Sequence, residues 1–207
     1  MKREVCFLPE YPYFCGRVTR GKSAHSRKLF FLKGVMTENF IVFKQAQAGD
    51  CERIWEIILQ AKEQMRLAGK QQWQDGYPAQ ADIIRDVAAG YGYVLCTGER
   101  VVAYGAVSFD GEPAYEAIRG KWETELPYVV VHRLAVADEM KQKGMAKLFL
   151  LRVEELCRRK GVNSSRVDTN FDNVYMLRLL EKLGYRYCGK IMYVGGERLA
   201  FEKRLAS

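Results

Sequence analysis

Val129-Val-Val-His-Arg-Leu-Ala-Val136, the links Ala137 to Met140, and then Lys141-Gln-Lys-Gly-Met-Ala-Lys147 form the stretch from which the organisation of the chain can be read. The first part is an apolar, largely β-branched run, which predicts a strand buried on both faces. The last part puts Gly144 at the head of a long helical pattern, with Met145, Leu148, Phe149, Val153 and Leu156 on one stripe. Strand, glycine-containing bend and helix N-terminus, in that order, present backbone N–H groups to a phosphate, and the helix dipole favours the negative charge. Lys141, Lys143 and Lys147 surround the bend. Gly144 lets the backbone approach an anion closely, and Ala146 leaves the first helical turn unobstructed.

Working outward, Ser165 to Thr169 reads as the next strand. Asp172 caps a further helix that stops at Gly184, and Tyr185 to Val194 with Arg198 to Lys203 make a closing hairpin through Gly195-Gly196. Upstream, Asn39 to Gln47 alternates as a first strand, and Asp50 caps a helix whose apolar positions are Ile54, Ile57, Ile58, Ala61 and Met65. Gly69 ends it, and Pro78 admits a shorter helix over Ala79 to Ala89. Tyr91 to Thr97 and Arg100 to Phe109 form a hairpin, and Ala114 to Trp122 holds a helical turn. The resulting order, β-α-α-β-β-β-α-β-α-β-β, predicts an α/β protein with a mixed (α+β) sheet and helices on both faces.

Arg133-Leu-Ala-Val136, four linking residues and Lys141-x-x-Gly144-x-Ala146 resemble the acyl-CoA motif of the GNAT superfamily of N-acyltransferases. Asn173-x-x-Met176 followed by Leu179-Leu-Glu-Lys-Leu-Gly-Tyr185 is similar to that family's closing helix and the strand after it. The resemblance implies a GNAT-like fold over residues 36–207, in which the strands at 128–136 and 165–169 run parallel but splay apart. The pantetheine arm of acetyl-CoA would enter the wedge and pair with the backbone of Leu134, Ala135 and Val136. Its diphosphate would lie on the bend formed by Lys141, Gln142, Lys143, Gly144, Met145, Ala146 and Lys147. Asn173 sits at the family's cofactor-side asparagine, with Asn170 competing in the same turn; the alternative role of Asn173 is that of a first-turn helix residue.

The implied reaction is direct attack of a primary amine on the thioester. The glutamate the family often uses as base falls here at Val130. His132 lies two residues on, on the same strand face, and imidazole suits proton transfer near neutral pH. The alternative is a half-buried histidine bonded to a neighbour. Glu125 or Asp168, acting through a water, is a fallback. The tyrosine that many members use as acid is replaced by Leu180, and Tyr175 is rotated well away from that position. Thiolate release to water, or Tyr185 or Tyr187, would have to serve. Trp73, Tyr77 and Trp122 lie in segments that flank the acceptor side in the family.

The favoured reading is an acetyl-CoA-dependent N-acetyltransferase for a small-molecule amine or amino acid. Peptide or protein N-terminal acetylation, and an acyl-CoA-binding module with little turnover, are the alternatives. The 207 residues, 48% hydrophobic, suit one sizeable core, and no apolar run approaches a membrane span. Six scattered cysteines predict reduced thiols and a cytoplasmic setting; with two histidines, no metal is expected. Residues 1–35 carry eight Lys/Arg against Glu4 and Glu10, which accounts for +6 of the +8 net charge. They read as a basic extension packed on the domain, a tail for a partner, or an upstream piece with Met36 as the true start, which is the expectation adopted. The basic pI is therefore mostly a property of this segment and is no evidence for a nucleic-acid-binding domain, although a nucleic-acid binder that uses the segment is a rival reading. A homodimer is compatible with the pattern.

Overall fold

A computed structural model describes residues 41–193 and 195–205. The basic segment 1–35, the start at Met36, the beginning of the first strand and Val194 of the closing hairpin lie outside the described residues. The elements are β1 (Ile41–Gln45), α1 (Cys51–Leu67), α2 (Gln80–Ala88), β2 (Gly92–Thr97), β3 (Arg100–Ser108), β4 (Arg119–Gly120), β5 (Tyr128–Val136), α3 (Met145–Lys160), β6 (Ser164–Thr169), α4 (Val174–Lys182), β7 (Arg186–Tyr193) and β8 (Gly196–Arg204). Apart from β4 and short 3-10 turns, this is the order the sequence predicts. β4 is a two-residue strand after the 3-10 turn Pro113–Ala117, and it is legible only through its partner: Gly120 pairs with Gly189 of β7, where a Cβ on either would fall within 2.4 Å of backbone.

The eight strands form one mixed sheet in the order β1-β2-β3-β5-β6-β8-β7-β4. Among the described strands only β5 and β6 run parallel, and α3 makes the crossover between them. The amphipathic stripe of α1 (Ile54, Ile57, Ile58, Ala61) packs with Ile83 of α2 on one sheet face, against Val94, Tyr104 and Ala135. Phe149, Leu150 and Val153 of α3 and Leu180 of α4 pack on the other, against Leu95, Val129, Val131 and Val167. A third cluster, Tyr115, Val130, Ile191 and Ala200, lies under the segment before β5. The central strand is thus covered on both faces as expected, with Val129 and Val131 entering one cluster and Val130 another. No helix among the described residues is long and apolar enough to cross a membrane.

Two predicted caps are corrected. Asp50 sits at the N-cap of α1 but its carboxylate turns back to accept the Gln47 N–H at 2.9 Å. Asn173, not Asp172, caps α4: its side-chain oxygen accepts the Met176 N–H at 3.3 Å. Cys51, Cys96, Cys157 and Cys188 are free thiols.

Candidate active site

The parallel ladder between β5 and β6 is short. It pairs Tyr128 with Ser164, Val129 with Ser165 and Val130 with Arg166, and there it stops. β6 continues to Thr169 against β8, while β5 continues to Val136 against β3. The two strands diverge, and His132 and Asp168, each two residues past the last pair, face one another across the opening. His132 Nδ1 and Asp168 Oδ1 are 3.7 Å apart.

A second departure lies on the other edge of β5. His132 pairs with Ala106 and Ala135 with Tyr104, so Arg133 and Leu134 both oppose Gly105. That is a β-bulge, and Arg133 takes the left-handed conformation at φ 55°. The extra residue reverses the alternation: Val129 and Val131 face α3, but beyond the bulge it is Leu134 and Val136 that do. Arg133 remains on the face of His132. There its guanidinium forks onto Asp86 of α2 at 2.8 and 2.6 Å, and it donates to the Tyr77 hydroxyl at 2.5 Å. The buried Tyr104 hydroxyl also donates to Asp86, at 2.6 Å. Burial, then the adjoining carboxylate, pushes that phenol well above its ordinary range. The strained backbone of Arg133 is held by these bonds.

A cavity of about 940 Å³ fills the divergence. Val131, Leu134, Leu150, Val167 and Met176 line its apolar part. On the other side lie His132, Glu112, Asp168, Tyr77 and Tyr193. His132 Nε2 meets Glu112 Oε2 at 3.0 Å, and Glu112 Oε1 accepts the Ala114 N–H at 3.2 Å. The bond to His132, opposed by burial and helped by the Ala114 N–H, holds the Glu112 carboxyl below the usual range. Asp168 Oδ1 accepts the hydroxyls of Tyr115 at 2.8 Å and Tyr193 at 3.3 Å. Both phenols are pushed up, first by burial and then by that carboxylate.

The bend before α3 has the expected form. A 3-10 turn, Asp138–Met140, precedes it, and Gln142 and Gly144 take left-handed conformations at φ 61° and 76°. The first hydrogen bond into the helix is Leu148 N–H to the Gly144 carbonyl, at 2.9 Å. The amides of Met145, Ala146 and Lys147 are therefore the ones a helix leaves without an internal partner. The space where a Gly144 Cβ would stand is open. Lys141 pairs with Asp138, Lys143 donates to the Glu139 carbonyl at 2.9 Å, and Lys147 is exposed.

The family model for the acetyltransferase (GNAT) family matches residues 50–185, a span that contains the bend, the diverging strands and α4. The chain belongs to the GNAT family. This GNAT chain is similar to a solved GNAT acetyltransferase from Streptococcus agalactiae, at 33% identity and TM-score 0.73 over 81% of this chain and 96% of that one. A GNAT acetyltransferase from Listeria monocytogenes shares the fold at 16% identity and TM-score 0.65, over 80% and 95% of the two chains. So does yncA from Salmonella typhimurium, solved with its cofactor acetyl-CoA, at 17% identity and TM-score 0.57 over 81% and 95%. No curated protein matches the chain.

Several residues weighed from sequence lie away from the cavity of this GNAT chain. Leu180 is fully buried in the core. The Tyr185 hydroxyl is tied to Ser165 Oγ at 2.8 Å inside the core, and exposed Tyr187 packs on Phe201. Tyr175 is exposed. Glu125 and Trp122 line a separate depression of about 540 Å³, where Trp122 and Tyr128 sandwich the Arg166 guanidinium. Asn173 and Trp73 line the main cavity; Asn170 is buried beside it in sequence but not among the lining residues. Glu112, Tyr193 and Asp86 were not legible as site residues, because each reaches the cavity from a separate segment of chain, and Arg133 joins them only through the bulge.

Proposed function

We propose that this GNAT chain is an acetyl-CoA-dependent N-acetyltransferase that acts on a primary amine of a small molecule, in the cytoplasm. The observation that carries the reading is the early end of the β5–β6 ladder at Val130 and Arg166, with a cavity in the gap and His132 at its edge.

The chain's own groups fit acetyl-CoA. The unpartnered amides of Met145, Ala146 and Lys147, with the open approach over Gly144, suit a diphosphate. The edge of β5 from Leu134 to Val136 that faces the divergence has backbone groups to offer a pantetheine amide. Asn173 lines the same cavity, although its side-chain oxygen already caps α4. Acetyl-CoA would supply an acetyl thioester: a C–N bond forms as the C–S bond breaks, and of the two protons an ammonium gives up, one goes through the base to solvent and one is balanced by the proton the thiolate takes up.

His132 is the base in this reading. A carboxylate on Glu112 requires the proton of neutral imidazole to sit on Nε2, which donates to Oε2. That leaves the Nδ1 lone pair on the side of the opening, where Asp168 also stands. Glu112 thereby orients the ring and stabilises the imidazolium formed when Nδ1 takes the proton. Tyr193 lies in the same cavity, but its hydroxyl proton is donated to Asp168 and its phenol is held well above the ordinary range, so water returns the proton to the thiolate.

The absence of a tyrosine at Leu180 favours one rival specifically, an acyl-CoA-binding module with little turnover. Calorimetry with acetyl-CoA, followed by an amine screen that monitors CoA release, separates the readings. Micromolar binding with amine-dependent release supports the transferase. Binding without release from any amine favours the module, and no binding removes both.

A further inference from the structure

The acceptor half of the cavity is acidic, and much of that charge is not neutralised within the protein. Asp86 is neutralised, because Arg133 forks onto it. Glu112 and Asp168 are not: they lie deep, on either side of the His132 ring, with side chains only 23% and 10% exposed. Asp75 and Asp110 line the mouth and are exposed. Against these four carboxylates the lining sets Arg198, whose Nη1 donates to the carbonyls of Gly195 and Glu197.

Asp168 is the most informative of the four. Its Oδ1 receives two tyrosine hydroxyls, whereas no donor among the described residues bonds Oδ2. A carboxylate oxygen that no protein donor occupies, on a residue lining the cavity, is open to a cation carried by a ligand. The His132 ring does not supply that cation by contact, since its Nε2 is committed to Glu112 and its Nδ1 stands 3.7 Å from Oδ1.

We infer that the acceptor is a small dication, whose reactive ammonium docks on Asp168 Oδ2 beside His132 and whose second cationic nitrogen rests against Asp110 and Asp75 at the mouth. The inference depends on the transferase reading and narrows it. Asp110 is two residues from Glu112, and Glu112 bonds the same His132 ring that Asp168 approaches, so the outer and deep carboxylates gather at one end of the cavity. A free amino acid is disfavoured for the same reason. Its carboxylate would enter a cavity whose lining, among the described residues, sets four carboxylates against the single unpaired cation of Arg198, while Arg133 is already bonded to Asp86 and Tyr77.

The test is a charge series at constant length on the full chain saturated with CoA: 1,4-diaminobutane, n-butylamine and 4-aminobutanoate, by calorimetry and then as acceptors with acetyl-CoA. The diamine is expected to bind at least tenfold more tightly than the monoamine, with the zwitterion weakest and kcat/KM in the same order. Raising salt from 50 to 500 mM should narrow the margin, because the outer carboxylates are exposed. Asp110→Asn should remove most of the diamine's margin over the monoamine, and Asp168→Asn should weaken both. Equal affinity across the series, a preference for 4-aminobutanoate, or no binding of any diamine from three to six carbons overturns the inference. None of those outcomes touches acetyl-CoA binding, on which the transferase reading is tested separately.

Discussion

In the proposed reaction the carboxylate on His132 Nε2 leaves Nδ1 as the working nitrogen, so removing the ring and removing its carboxylate have different expected signatures. His132→Ala is expected to slow turnover by about 100-fold or more while acetyl-CoA affinity is retained, because the ring acts on the acceptor side. Steady-state rates beside calorimetry check it, and unchanged rates would remove His132 as base. Glu112→Gln tests the carboxylate through stability. The Glu112 carboxyl is held below its ordinary value when folded, so its contribution is fully present above about pH 4.3, its usual unfolded value, and is lost as pH falls through the lower folded one. Thermal melts should show the variant below the parent at pH 6 and the gap closing as the pH falls into the acid range below the usual carboxylate value. A gap that stays constant across that range would mean the bond to His132 contributes nothing that titrates.

The bend into α3 and the bulge in β5 are the two elements that make the site. Gly144 is left-handed with open space beside it, so a side chain there strains the backbone by about 1–2 kcal/mol yet clashes with nothing. Gly144→Glu should therefore fold, as far-UV circular dichroism would report, and lose acetyl-CoA binding in calorimetry, since its carboxylate would stand before the free amides. Retained binding would move the diphosphate elsewhere. The bulge at Arg133 has no counterpart in the apolar pattern of β5. Period-two alternation correctly put Val130 and His132 on one face, but it could not foresee that Arg133 stays there too. Nothing local demands an extra residue opposite Gly105; the ion pair with Asp86, 47 residues away, holds it. The missed cap of α4 has a similar cause: Asp172 and Asn173 are equally good capping residues, and one residue of helix phase decides between them.

Across the whole molecule, the Asp86–Arg133–Tyr104 network joins α2, β3 and β5 behind the cavity. Asp86→Ala leaves the Arg133 guanidinium buried without its counter-charge, and should cost about 3–5 kcal/mol, read as a lower urea midpoint at unchanged slope. A loss below 1 kcal/mol would mean that the arginine finds water or another partner. By itself the sequence determined the order of the elements, the buried central strand and the anion-ready bend at Gly144. Those depend on periodicity, glycine placement and chain neighbours, which are local and written in consecutive residues. Only the tertiary structure decided that Glu112 holds His132, that Asp168 faces it where the ladder ends, and that the cavity wall around His132 is acidic. These are contacts between segments 20 to 47 residues apart, and they arise from strand register, a bulge and the divergence of two strands, which no single stretch of sequence encodes.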